Sequence, residues 1–144
     1  MSFQWLQMRI TEENERRDRE AQTLERLPRV MDEVHAAIAE CVEEYSAAFG
    51  KESVDLSYFL HKIRLTVHEQ KEGKWEKFAR IEIGTLTKPP SLHIDREGDV
   101  LDIGLGLLPG DKLYYKDGES FLTMEELTRR ILDRSLFPKL AAEG

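Results

Sequence analysis

Apolar and polar residues alternate through the middle of this chain, and the phase of the alternation changes more than once. Val54, Leu56, Tyr58 and Leu60 share one phase; Ile63, Leu65 and Val67 share the other. A period of two marks strands whose faces meet different surroundings. The slip at His61-Lys62 predicts a β-bulge within one strand over 54–69, or a strand beginning only near Tyr58. A second strand is expected over about 75–86, with Trp75, Ala79, Ile81 and Ile83 on one side. Leu92 and Ile94 mark a short third strand, and Leu101, Ile103, Leu105 and Leu107 a fourth. Pro109-Gly110-Asp111 turns the chain into residues 113–116, and another reversal leads to Phe121. Lys88-Pro89-Pro90-Ser91 reads as an edge crossing or a longer loop, because proline cannot donate to a central ladder.

Three of the reversals are almost one word: Lys71-Glu72-Gly73-Lys74, Arg96-Glu97-Gly98-Asp99 and Lys116-Asp117-Gly118-Glu119. An acid–glycine pair between alternating segments is a strong hairpin signal, because the tight turns need residues that tolerate positive φ. The stretches between them differ in length, phase and apolar content. The word is therefore a recurring turn and not an internal repeat. At least two of these turns should share one end of the sheet.

Outside the strands the period lengthens. Thr11, followed by Glu12 and Glu13, has the form of a helix N-cap with acids in the first turn. Gly50 suits the other end. Residues 12–22 are almost all charged or amide. From Leu24 a heptad pattern begins: Leu24, Met31, Ile38 and Tyr45 in one series, Leu27, Val34, Cys41 and Ala48 in the other. Val30, Ala37, Val42 and Phe49 widen that stripe, as in a helix lying on a sheet of its own domain. The alternative is an intermolecular helix pair through Leu24, Leu27, Met31 and Val34. Pro28 predicts a kink or break. At the other end of the chain, Thr123-Met124-Glu125-Glu126 is a capping box flanked by Leu122 and Leu127. Leu127, Ile131, Leu132 and Leu136 form the apolar face of that helix, which should end at Phe137, before Pro138.

The expected fold is α+β: an N-terminal helical region kinked or broken near Pro28, an antiparallel β-meander of five to six strands, and a C-terminal helix. The helices lie on one face of the sheet. The opposite face would carry Arg64, Thr66, His68, Arg80, Glu82, His93, Asp95 and Asp102, with Phe78 as its apolar exception. With 144 residues, the chain suits one domain over 1–144, with 1–22 as a charged, partly protruding arm.

Charge is uneven along the chain. Residues 1–50 hold 6 bases and 11 acids, residues 51–96 hold 9 and 7, and residues 97–144 hold 6 and 10, for a net −7. An acidic chain with no basic–aromatic cluster disfavours nucleic acid. No apolar run reaches the roughly 20 residues of a membrane span. Residues 1–10 lack the pattern of a secretory signal. The single Cys41 excludes an internal disulfide. The expected setting is cytoplasmic, without a membrane partner.

The candidate chemistry is sparse. His93 and Asp95 share a strand face, where a carboxylate could orient a base, yet no nucleophile accompanies them. Without one, a surface ion pair is the expected reading. His61, His68 and His93 would have to converge from separate strands to hold a metal, and nothing in their spacing requires it. No metal or cofactor is expected. His35 beside the seam reads as a half-buried helix residue, and Cys41 as core packing. Gly104-Leu105-Gly106 fails the dinucleotide pattern and instead allows a ring or helix to approach the strand closely. Tyr114 and Tyr115 place one ring on each face.

In size, acidity and long amphipathic helices the chain loosely resembles bacterial secretion chaperones. Those usually interrupt their strands with a central helix, which this sequence lacks. The resemblance covers size and charge alone, and no residue is carried over. The leading expectation is a non-catalytic binding or adaptor domain that forms a homodimer or takes a protein partner. A second is a ligand-binding protein or enzyme with a pocket between helices and sheet, lined by Tyr58, Trp75, His93, Asp95 and Tyr115. A third is a chaperone-like protein that holds a partner segment.

Overall fold

The computed structural model describes residues 3–143. Met1 and Ser2 of the expected arm, and Gly144, lie outside the described residues. Two helices, α1 (Gln4–Glu25) and α2 (Leu27–Phe49), lead through a short 3-10 turn (Lys51–Ser53) into the sheet. Its strands are β1 (Val54–Phe59), β2 (Lys62–Lys71), β3 (Lys74–Thr87), β4 (Pro90–Arg96), β5 (Asp99–Leu108), β6 (Lys112–Asp117) and β7 (Ser120–Leu122). They pair antiparallel in sequence order, a plain meander of seven strands where five to six were expected. Helices α3 (Met124–Leu136) and α4 (Pro138–Glu143) follow. The architecture is α+β, as the alternation implied.

One face of the sheet is apolar and covered. Ile63, Ile83, Ile94 and Leu101 stand opposite one another in a row across β2 to β5. Leu65 faces Ile81, and Leu92 faces Ile103. Over them lie Val30, Met31, Val34 and Ile38 of α2 and Leu127, Ile131 and Leu132 of α3, all in one buried cluster. Burying each such side chain stabilises the fold by about 1.5–3 kcal/mol. The wide stripe of α2 thus packs within its own chain. Leu27, Met31 and Val34 are buried there and Leu24 is half-buried.

The N-terminal helices depart from expectation at their start and meet it at the break near Pro28. Helix α1 begins at Gln4, so Thr11 is no cap; its hydroxyl donates back to the Gln7 carbonyl inside the helix. The chain breaks at Arg26, and Pro28 sits in the first turn of α2, where a missing N–H leaves no bond unmade.

The slip at His61-Lys62 is neither a bulge nor a late strand start. Leu60 and His61, both at positive φ, form a two-residue turn between β1 and β2. That is the φ pattern of a type I′ hairpin without the usual glycine. The bulge lies farther on: Val67 pairs with Ala79 but His68 with Lys77, leaving Phe78 as the extra residue. Phe78 lines a groove with Tyr45, Leu136 and Phe137 on the helix side, so it is not an apolar exception on the open face. Nor does Lys88-Pro89 form a long loop. It is a two-residue turn with a cis peptide, and Pro90 starts β4 opposite Thr87 at the end of the ladder.

A meander alternates its turns, so all three acid–glycine turns lie at one end of the sheet. They are not made alike. Glu72-Gly73 and Glu97-Gly98 have positive φ at both residues, whereas Asp117 ends β6 and the third turn is Gly118-Glu119 with only Gly118 positive. The first two follow the type I′ pattern, the third type II′. At the opposite end Arg26 donates to the Asp111 carbonyl at 2.7 Å, tying the helix break to the β5–β6 turn.

The capping box of α3 is complete: Glu126 N–H donates to Thr123 Oγ1 at 3.1 Å, and Thr123 N–H donates to Glu126 Oε1 at 3.1 Å. Phe137 ends α3. Pro138 then opens α4, an element the expected chain end did not include.

Thr123→Ala should cost about 1 kcal/mol in urea denaturation; an unchanged midpoint would show that the cap does not hold the helix. Gly118→Val should cost at least about 1–2 kcal/mol, because a branched side chain is forced to positive φ. Asp117→Asn, which loses only a surface pairing to Arg130, should cost less than about 1 kcal/mol. Equal losses would contradict the turn assignment.

Candidate functional site

The five residues expected to line a pocket are not brought together. His93 and Asp95 alternate with the buried Leu92 and Ile94, so they point to the open face. Tyr58 and Tyr115 lie on the helix side but on β1 and β6, at opposite flanks of the sheet. Trp75 is at the β2–β3 rim, its ring beside Gly50 at the end of α2. Between helices and sheet the space is filled by side chains such as Val34, Ile38, Ile81 and Ile103, all essentially unexposed.

The expected His93–Asp95 pair is also redistributed. His93 Nδ1 meets Asp102 Oδ1 at 2.7 Å, directly across the ladder. Asp95 Oδ1 instead accepts from the Gly98 N–H at 2.9 Å and braces the β4–β5 turn. Sequence could have found Asp102: once Glu97-Gly98 is placed as a two-residue turn, counting outward sets residue 93 against residue 102. The strand neighbour of His93 on β3 is Gly84, whose face is open. His61 occupies the β1–β2 turn and His68 the bulge, well apart from His93 along the meander. Among the described residues no group of three or more His, Cys, Asp or Glu is placed to hold a metal ion.

Other polar residues serve the fold. The Tyr58 hydroxyl donates to Asp32 Oδ1 at 2.6 Å, and its ring stacks on His35 at 4.5 Å. Burial, together with the neighbouring Asp32 carboxylate, pushes the Tyr58 phenol up to about 12. Burial raises the Tyr115 phenol further, with Glu33 acting in the same direction. The Tyr114 ring lies across Gly106, where any Cβ would overlap it. Arg96 joins α3 to the rim: it donates to the Arg130 carbonyl at 2.9 Å and meets Asp99 at 3.0 Å, while Arg130 pairs with Asp117.

Two surface features remain that none of these roles absorbs. The first is a groove of about 390 Å³ between α2 and α3, walled by Cys41, Tyr45, Phe49, Leu132, Leu136 and Phe137. Its end is aromatic, with Tyr45 4.8 Å from Phe49 and 5.6 Å from Phe137 between ring centres. Glu44, Glu125, Arg129 and Asp133 stand around it. Burial raises the Cys41 thiol, which is therefore unactivated.

The second is the start of α1. Residues 3–12 are all exposed, including Phe3, Trp5 (65%), Leu6, Met8 (57%) and Ile10. Helix α1 first meets the body through Arg16, Arg19, Glu20 and Thr23, beside Pro89, Pro90 and Tyr114. From Arg16, the first of these, back to Ile10 is about 9 Å of helix at 1.5 Å per residue. That span is supported by its own charges: Arg16 bridges Glu13 and Glu20, and Arg17 also reaches Glu13. The two arginines hold the Glu13 carboxyl down to about 2. Reading residues 1–10 only for a signal missed this surface. Its mark in the sequence is helical spacing, Phe3, Leu6 and Ile10 in one row and Trp5 and Met8 in another.

Compared with family models, curated proteins and solved structures, the chain matches none of them. No described helix is long and apolar enough to cross a membrane.

The Tyr58 phenol gives a signed pH dependence. Its ordinary value is about 10. Between about pH 10 and about 12 the unfolded chain has released this proton and the folded chain keeps it, so stability falls as pH rises through that window. Tyr58→Phe should make the melting temperature fall less steeply there, with Tyr115 still supplying some slope. Parallel curves for the two proteins would sink the assignment.

Proposed function

We infer that this chain is a non-catalytic binding module that self-associates through the start of α1. The observation that carries this reading is the arm: five large apolar side chains on a helix that leaves them in water. Surface of that kind marks interaction sites. The arm's helicity does not need this apolar surface, because the Arg16-centred ion pairs lie behind it. Nor does the core need it, since α2 and α3 already cover the sheet. Solvent exposure of Trp5 and Phe3 therefore has no purpose within one chain that packing accounts for.

Size supports the same reading. Two half-exposed aromatics and three aliphatics offer about 500 Å² per arm, judged against the 150–250 Å² that a whole aromatic side chain can bury. Two arms, each covered by an equal area of a partner, would bury about 2,000 Å² in all, at the upper end of the range of standard-size specific interfaces.

Sedimentation of the full chain over a wide concentration range should show a dimer. Replacing Trp5 and Leu6 together by glutamate should weaken association at least about 30-fold, the equivalent of one strong interface residue. The melting temperature of the dissociated protein should stay unchanged, because neither side chain is buried in its own chain. A compact monomer at every concentration would overturn the reading.

A further inference from the structure

The groove between α2 and α3 and the apolar start of α1 match each other, and we propose that the arm of one copy docks in the α2–α3 groove of a second copy, reciprocally. This rests on the self-association inferred above and adds where the arm goes.

The shape of the arm's apolar surface argues for a groove. At 100° per residue, Met8, Trp5, Leu6, Ile10 and Phe3 spread over about 220° of the helix circumference. Gln4, Gln7 and Thr11 fill the remaining narrow stripe. Pairing with a single helix covers a stripe of roughly half that width. A helix lying between two others is covered over the wider arc. Helices α2 and α3 provide such a pair of walls, lined by Leu132, Leu136, Tyr45 and Phe49. Phe49, half-exposed at the aromatic end, gives Trp5 or Phe3 a ring to pack on.

Charge agrees with shape. Arg9 falls in the middle of the apolar arc, and residues 3–11 contain no acid. A guanidinium carried into an apolar contact needs a carboxylate there. The groove offers Glu44, Glu125 and Asp133 against the one Arg129. In the isolated chain Arg9 meets only Glu12, on the exposed surface of its own helix. Reach also agrees: α1 leaves the body at Arg16, and the helix before it carries the apolar start from about 9 Å outward, so a neighbouring copy can take it. The exchange is two-fold, each chain giving an arm and receiving one.

Cys41, the chain's only cysteine, lies in the groove and makes a direct test possible. Met8→Cys and Trp5→Cys are made separately in the full chain and treated with a short bismaleimide. Each should give a covalent dimer that is lost when Cys41→Ser is added. Sedimentation of the untreated variants is run beside it. A dimer that cross-links equally well without Cys41 would mean arm pairs with arm, and would overturn the docking site. A sedimenting dimer that neither variant links through Cys41 would also overturn it, while leaving self-association standing. A monomer throughout would remove both. As an independent check, Glu44→Arg should weaken association, and Arg9→Glu in the same chain should restore part of it; no restoration would count against the charge match.

Discussion

The sheet presents one apolar face, and covering that face is the constraint on which the rest of the structure depends. Ile63, Ile83, Ile94 and Leu101 form a row that is useful only if all four strands keep their register. A slip of one residue would turn every member of a strand's set to the wet side. The register is held by turns too short to slide. Two residues join β1 to β2, β2 to β3, β3 to β4, β4 to β5 and β6 to β7. The face is then closed by α2 from before the sheet and α3 from after it.

That closure determines what is left over. Since α2 and α3 lie on the same side, a groove runs between them, lined by the mutually packed aromatic rings of Tyr45, Phe49 and Phe137. Helix α3 is held at the acid–glycine end by Arg96 and Arg130, so that rim is a structural joint more than a row of free charges. Helix α1 has only its second half against the sheet, along β4 and β5. It crosses the opposite end, is pinned at Arg26, and continues into solvent as a helix supported by its own ion pairs. The separation of a self-sufficient body from a self-sufficient arm is what makes an exchange between copies physically reasonable. Neither part has to unfold for the other to be reached.

The elements legible in the sequence are those whose cause is local. Glycine at positive φ identified three turns, a Thr–Glu pair identified the start of α3, and period-two alternation identified the sheet and its buried face. The misreadings share one physical origin. Leu60 and His61 make a hairpin turn with no glycine, because the paired strands on either side hold them at a φ they would not choose alone. Phe78 looked like an outward residue because a bulge cannot be seen in one strand; it is a mismatch with the partner strand. Asp95 sat two residues from His93 and drew attention, yet the neighbour that matters is Asp102, across the ladder.

The candidate site was less legible than the fold. The heptad series through Leu24, Leu27, Met31 and Val34 resembles an association surface, and the same spacing serves a helix packed on a sheet. Periodicity states that a face is apolar and not what covers it. The apolar residues 3–10 carry a weaker pattern and are the ones left in water. By itself, the sequence determined the α+β class, the antiparallel meander, most of the turns and which strand face is buried, because those follow from interactions within a few residues. Only the tertiary structure decided that α2 is used internally, that the start of α1 is not, and that a groove stands open beside α2, because each of these depends on which distant surfaces reach one another first.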